Sequence, residues 1–137
     1  MGQQRQKSNI EAYLETKRKL LSARPTPHDA LARSTEQGVY LIDIRPTSNR
    51  KEEGLIPGAI VIDRNVLEWR LDRTSPWSIL EAREPSFTPI LFCNEGYASS
   101  LAAQTLVEIG VERATDVDGG FRKWKDDGLP VVGEDSL

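Results

Sequence analysis

Apolar residues in this chain come as short runs separated by longer amphipathic stretches. Val39-Tyr40-Leu41-Ile42-Asp43-Ile44, which is rich in β-branched residues, Ala59-Ile60-Val61-Ile62 and Ile90-Leu91-Phe92 are compact apolar runs bounded by Gly, Pro or polar residues. Each reads as a buried strand. Ala114-Thr115-Asp116-Val117 reads as a last short one. Between them the period changes to that of a helix. Ser8-Asn9-Ile10-Glu11 is a capping-box pattern, and Ile10, Tyr13, Leu14, Lys17, Leu20 and Leu21 then share one stripe, which predicts a helix over 9–22. Thr26 as cap and Pro27 at the first helical position start a second helix, which runs through Ala30, Leu31 and Ala32 and is ended by Gly38. Val66, Leu67, Trp69, Arg70 and Leu71 give a short helix, and residues 72–88 read as an irregular connection. Leu101, Ala102, Thr105, Leu106 and Ile109 fall on one helical face, with Gly110 placed to cap it. Asp118-Gly119-Gly120 turns into a final helix that carries Phe121 and Trp124 and stops at Gly128. Residues 1–7 and the tail beyond Val132 lack such patterning and are expected to be loose.

Strands that alternate with helices predict an α/β fold, an open parallel sheet with helices on both faces. The expected division is a partly helical N-terminal extension over 1–25, a domain over 26–132 and a loose tail over 133–137. Ligands of such sheets bind outside the carboxyl ends of the strands. Arg45, Arg64, Cys93 and Asp118 all fall at strand ends, so position alone directs them to one pocket.

Composition narrows the function classes. At 137 residues the chain is one domain with room for a core, and a net charge of −3 gives no reason to expect nucleic acid or an anionic membrane surface as partner. No apolar run approaches membrane-spanning length, and the polar start Met1-Gly2-Gln3-Gln4-Arg5-Gln6-Lys7 is not followed by a signal-peptide core. One cysteine cannot form an internal disulfide, and a reactive free thiol fits a reducing cytoplasm, which is the expected location.

That cysteine ends the Ile90-Leu91-Phe92 strand and precedes the loop Asn94-Glu95-Gly96-Tyr97-Ala98-Ser99, from which a helix starts. Backbone N–H groups of such a loop and first helical turn surround the sulfur, favour thiolate over thiol and would hold a negative charge on any sulfur that Cys93 carries. A buried, inert cysteine would have no need of a Gly-containing turn directly after it. His28, the only histidine, lies in the first turn of the second helix and reads as a surface residue, not a base for Cys93. Asp43 and Arg45 read as an ion pair that fixes the next loop, with Glu53 a further partner for Arg45.

The loop resembles the active-site loop of the rhodanese family of sulfurtransferases, and other segments match in order. Leu41-Ile42-Asp43-Ile44-Arg45 is similar to that family's first core strand with its Asp-x-Arg ending, and Gly54-Leu55-Ile56-Pro57-Gly58-Ala59 to its Gly-His-Ile-Pro-Gly-Ala motif, with Leu55 where histidine is usual. Gly119-Gly120-Phe121-x-x-Trp124 followed by Gly128-Leu129-Pro130-Val131 looks like its C-terminal signature. The resemblance covers about residues 26–132 and implies a rhodanese-like fold.

It also implies an activity: transfer of sulfane sulfur from thiosulfate or a persulfide to cyanide or a thiol, small-molecule or protein, through a persulfide on Cys93, with neither cofactor nor metal. The substrate-binding residues would be Asn94, Glu95, Gly96, Tyr97, Ala98 and Ser99, joined by Arg64 as a cation for the donor. Two departures leave a second class open, a non-catalytic binding or regulatory module. Ala98 stands where the family often has Arg or Lys, and the acidic Glu95 could repel thiosulfate. The related cysteine phosphatases need an arginine six places after the cysteine, where this chain has Ser99.

Overall fold

The computed structural model describes residues 6–133; the first five residues and the tail from 134 onward, both expected to be loose, lie outside the described residues. Four parallel strands form the sheet: β1 (Val39–Asp43), β2 (Ile60–Val61), β3 (Thr88–Phe92) and β4 (Thr115–Asp116), in the order β2-β1-β3-β4. The helices are α1 (Asn9–Arg18), α2 (Pro27–Arg33), α3 (Thr47–Glu53), α4 (Leu67–Leu71), α5 (Ala98–Glu108) and α6 (Gly120–Asp126). The predicted α/β architecture is thus realised.

Strand alternation sorts the core into two layers. Ile42, Leu91 and Cys93 point to the face covered by α4 and α5, among Leu67, Leu71, Ala102, Ala103 and Leu106. Leu41, Ile90 and Phe92 point to the other face, among Ala30, Phe121 and Trp124 of α2 and α6. Cys93 follows Leu91 by two residues, so the same alternation that buries Leu91 aims the thiol under α5. The register Leu41↔Ile90 through Asp43↔Phe92 places the ends of β1 and β3 side by side.

Several expectations change. α1 stops at Arg18, four residues short of the expected 22, and of its stripe only Leu14 is buried while Ile10, Tyr13 and Leu20 are exposed. Ile109 caps α5 and is half-exposed rather than in the core. The irregular connection contains a 3-10 turn, Leu80–Arg83, and α3 was not expected. Thr47–Glu53 has no apolar residue, so there is no hydrophobic period to read.

Arg45 and Asp43 form the expected ion pair, fully buried. The guanidinium donates from Nε and Nη2 to the two carboxylate oxygens at 3.0 and 2.8 Å, and Nη2 also reaches the Gly54 carbonyl at 2.8 Å. Its Cζ lies 3.9 Å from the centre of the Phe121 ring. Removing one partner of such a pair costs about 3–5 kcal/mol, because a buried charge is left uncompensated. Glu53 is not a partner of Arg45; its carboxylate accepts from Asn49, Asn94 and Arg122. Leu55 is buried and bridges antiparallel to Val132, so this position ties the C-terminal segment to the domain. His28 is exposed, as expected, 4.0 Å from Asp127.

Candidate active site around Cys93

β3 delivers Cys93 to the mouth of the sheet, and residues 94–97 turn the chain into α5. Gly96 takes φ +87°, a left-handed conformation that a Cβ would strain, and this lets its N–H point back at the sulfur. The Gly96 and Ser99 amides donate to Cys93 Sγ at 3.1 and 3.4 Å. Ser99 Oγ lies 3.3 Å from Sγ.

The carbonyls of the loop are held from outside it. Phe121 N–H and Arg122 N–H, in the first turn of α6, donate to the carbonyls of Cys93 and Asn94 at 2.9 and 3.0 Å. Gly120 makes this approach possible. A Cβ there would lie 2.7 Å from both Cys93 O and Gly96 N. The Gly96 carbonyl accepts from Arg18 Nη2 at 2.6 Å and, more distantly, from Arg24 Nη2, and Ser100 Oγ lies 3.2 Å from it.

The other residues singled out from the sequence spread around this cradle. Asn94 Nδ2 donates to Glu53 Oε2 at 2.9 Å, so α3 braces the loop. Glu95 is exposed and paired with Arg122, which also reaches Glu53. Its negative charge is therefore shared with a cation at the rim. The Arg122 guanidinium is held above its usual range by its hydrogen bond to Glu53 and by the Glu95 and Glu53 charges. The Glu53 carboxyl is held below the usual carboxylate range, first by the Asn49 hydrogen bond, which with Asn94 and Arg122 outweighs partial burial. Tyr97 projects into solvent, and Ala98 is the exposed first residue of α5. Arg64 lies beyond the end of β2, two strands or roughly 10 Å across the sheet from β3, and its Nη1 donates to both oxygens of Glu68 at 2.9 Å.

Sequence reasoning did not mark Arg18, Arg24, Ser100 or Asp116 as parts of this region. Asp116 is fully buried in β4, where Ser99 and Ser100 donate to its Oδ2 at 2.7 and 2.8 Å and Arg24 donates to both oxygens at 2.8 and 3.1 Å. The one available signal was a carboxylate inside a short strand pattern, which demands a buried cation or donors. Burial works against the charge of Arg24, but the hydrogen bonds and proximity of Asp116 outweigh it and hold the guanidinium above its usual range. Among the described residues no cluster of metal-ligating side chains occurs, and no helix is long and apolar enough to cross a membrane.

Residues 26–127 match the family model of the rhodanese-like domain. The chain belongs to the rhodanese-like family. Its relatives include a thiosulfate sulfurtransferase, GlpE, of Vibrio cholerae, 28% identical over 102 residues that cover 74% of this chain and 87% of the relative. Another, thiosulfate sulfurtransferase YnjE of Escherichia coli, is 34% identical over 83 residues, which are 56% of this chain but only 19% of that protein. Among solved structures, a Rhodopseudomonas palustris protein described as a possible tyrosine phosphatase superposes with a TM-score of 0.81 at 29% identity, over 96% of this chain and all of that one. The polysulfide-sulfur transferase homodimer of Wolinella succinogenes shares the fold at 23% identity, with a TM-score of 0.71 over 91% of this chain and 88% of that one. The rhodanese-like match begins at residue 26, so α1 and the connection carrying Arg24 lie ahead of it.

Proposed function

We propose that the protein is a sulfurtransferase that carries sulfane sulfur on Cys93. The observation that supports this is the aim of the Gly96 and Ser99 amides at Sγ, within a rhodanese-like chain whose relatives include thiosulfate sulfurtransferases. In the first half-reaction the thiol gives its proton to solvent and the thiolate attacks the outer sulfur of thiosulfate or of a persulfide. A new S–S bond forms on Cys93, the donor's S–S bond breaks, and its electron pair leaves with sulfite or with the donor thiolate. In the second half-reaction cyanide or a thiolate, free or on a protein, takes the outer sulfur. The bonding pair then returns to Cys93, and the cycle closes without net oxidation of the protein. The persulfide is anionic, and backbone donors already oriented towards it require no reorganisation at the moment of transfer. A free reactive thiol suits a reducing compartment, which supports assignment to the cytoplasm.

Arg64 is the cation we assign to an anionic donor. It would exchange Glu68 for the donor, a small cost because a partly exposed pair contributes little. A tyrosine phosphatase reading, suggested by the Rhodopseudomonas palustris neighbour, has less support. Residues 94–99 contain no basic side chain, and Arg18 and Arg24 are engaged by Gly96, Ser100 and Asp116.

Intact mass after treatment with thiosulfate, mercaptopyruvate or glutathione persulfide tests the proposal. The protein should gain one sulfur, about 32 Da, removable by cyanide or reductant. Cys93→Ser should neither gain mass nor turn over. Sulfur transfer by Cys93→Ser, or no gain with any donor, would refute it and leave the binding-module reading.

A further inference from the structure

Two arginines that precede the rhodanese-like match converge on the Cys93 loop. Arg18 ends α1, and Arg24 lies in the connection to α2. Arg18 donates from Nη2 to the Gly96 carbonyl at 2.6 Å and from Nε to Ser100 Oγ at 3.0 Å. Arg24 clamps both oxygens of Asp116, and its Nη2 lies 3.4 Å from the Gly96 carbonyl. Asp116 is in turn one hydroxyl away from the sulfur, through Ser99.

We infer that this N-terminal segment is a working part of the sulfur site: Arg24, seconded by Arg18, positions the Cys93 loop and cancels the charge of Asp116, which otherwise opposes a negative sulfur. The inference rests on the reading of Cys93 as a sulfur-carrying nucleophile. Both arginines are positioning residues, since neither touches the sulfur.

Peptide geometry ties the arginines to the loop. The C=O and N–H of a trans peptide point in opposite directions. Arginines that hold the Gly96 carbonyl therefore fix the Gly96–Tyr97 peptide, directly after the Gly96 N–H that donates to Sγ. Hydroxyl protons around Asp116 are few. An ionised Asp116 is acceptor-only, so Ser99 and Ser100, each with a single hydroxyl proton, are its donors. With the Ser99 proton directed to Asp116 at 2.7 Å, the Ser99 oxygen offers Cys93 a lone pair, which suits a thiol S–H. An anionic sulfur needs the Ser99 proton turned towards it. Asp116 can release Ser99 because Arg24 still supplies two donors and a positive charge, although its Nη1 also reaches the exposed Asp118 at 3.4 Å. Without Arg24, a buried carboxylate within about 6 Å of the sulfur would be left short of partners and would repel the charge that catalysis requires.

The decisive measurement is the alkylation rate of Cys93 by iodoacetamide at pH 7, in the full chain and in variants whose folding is checked by circular dichroism. Arg24→Gln should react about tenfold more slowly than wild type. Asp116→Asn, which removes the opposing charge, should react faster than wild type. The double variant should recover most of the rate lost in Arg24→Gln, and Arg24→Lys should fall between Arg24→Gln and wild type. Coupling of this kind is what a double-mutant cycle isolates. A purely structural role predicts the opposite pattern, with Asp116→Asn slowed and the double variant no better than Arg24→Gln, and that result would overturn the inference. If Arg24→Gln does not fold, the sign of the Asp116→Asn effect decides alone: faster supports the inference, and slower or unchanged refutes it. Alkylation consumes no sulfur donor. A protein that takes no sulfur from any donor would therefore refute the sulfurtransferase reading, while the alkylation rates would still judge the arginine.

Discussion

Gly120 is where the fold and the sulfur cradle meet most closely, and its replacement by alanine separates two costs that usually come mixed. Its φ of +63° is left-handed, and a Cβ would lie 2.7 Å from Cys93 O, 2.7 Å from Gly96 N and 2.9 Å from Asn94 C. The conformational part costs about 1–2 kcal/mol for any residue with a Cβ. The steric part adds about 1–3 kcal/mol, because all three obstacles are backbone atoms that cannot rotate aside. Gly58 supplies the control: its φ is +81°, with no atom within 4 Å of a built Cβ. Gly58→Ala should therefore lose about 1–2 kcal/mol and Gly120→Ala about 2–5 kcal/mol. At roughly 4 °C per kcal/mol for a domain of this size, the falls in Tm are about 4–8 °C and 8–20 °C. Differential scanning calorimetry reads both, and Cys93 alkylation reads the loop. Only Gly120→Ala should slow alkylation, since only it pushes Cys93 and Gly96 apart. Equal Tm losses for the two variants, or an unchanged alkylation rate in Gly120→Ala, would refute the claim that α6 shapes the cradle through close backbone contact.

Two further outcomes are expected. Arg64→Ala should raise the Michaelis constant for thiosulfate far more than for a neutral donor, at a cost of roughly 1.5–3 kcal/mol or ten- to a hundredfold in kcat/KM, and Ala98→Arg should partly restore it; unchanged thiosulfate kinetics in Arg64→Ala would remove that residue from the site. The Tyr40 hydroxyl donates to Glu84, and this bond first, with desolvation second, pushes its pKa up to about 12. Its ordinary value is about 10. Because the folded value is the higher one, the stabilisation is complete below pH 10 and is lost as pH rises through 12. Tyr40→Phe should therefore be less stable than wild type by a constant margin below pH 10, a margin that closes above it, and should lack a phenolate absorbance transition near pH 12. A margin that persists unchanged to pH 12 would contradict the assignment.

The sequence by itself determined the strand segments, their α/β alternation and the placing of Cys93 at a strand end before a glycine turn. These follow from local periodicity and from backbone preferences that act over a few residues. Val39–Asp43 and Thr88–Phe92 are apolar enough to be strands in any context that buries them, and Gly96 can take a conformation that other residues resist. The ion pair of Asp43 and Arg45 was also legible, since its partners are two residues apart. α3 was not, because Thr47–Glu53 is polar throughout and buries no residue of its own. The placing of α1 was not legible for a different reason. Of its apolar stripe only Leu14 is buried, while the helix leaves Ile10 and Tyr13 exposed and brings Arg18 to the Gly96 carbonyl, 78 positions away along the chain. Arg24 and Asp116 are 92 positions apart, and the rim pair of Arg122 and Glu95 is 27 apart. Only tertiary structure decided these contacts. A charged side chain carries no periodic mark of its partner, and its pairing is fixed only when the sheet order sets β4 beside β3 and the chain ahead of α2 is drawn across their ends.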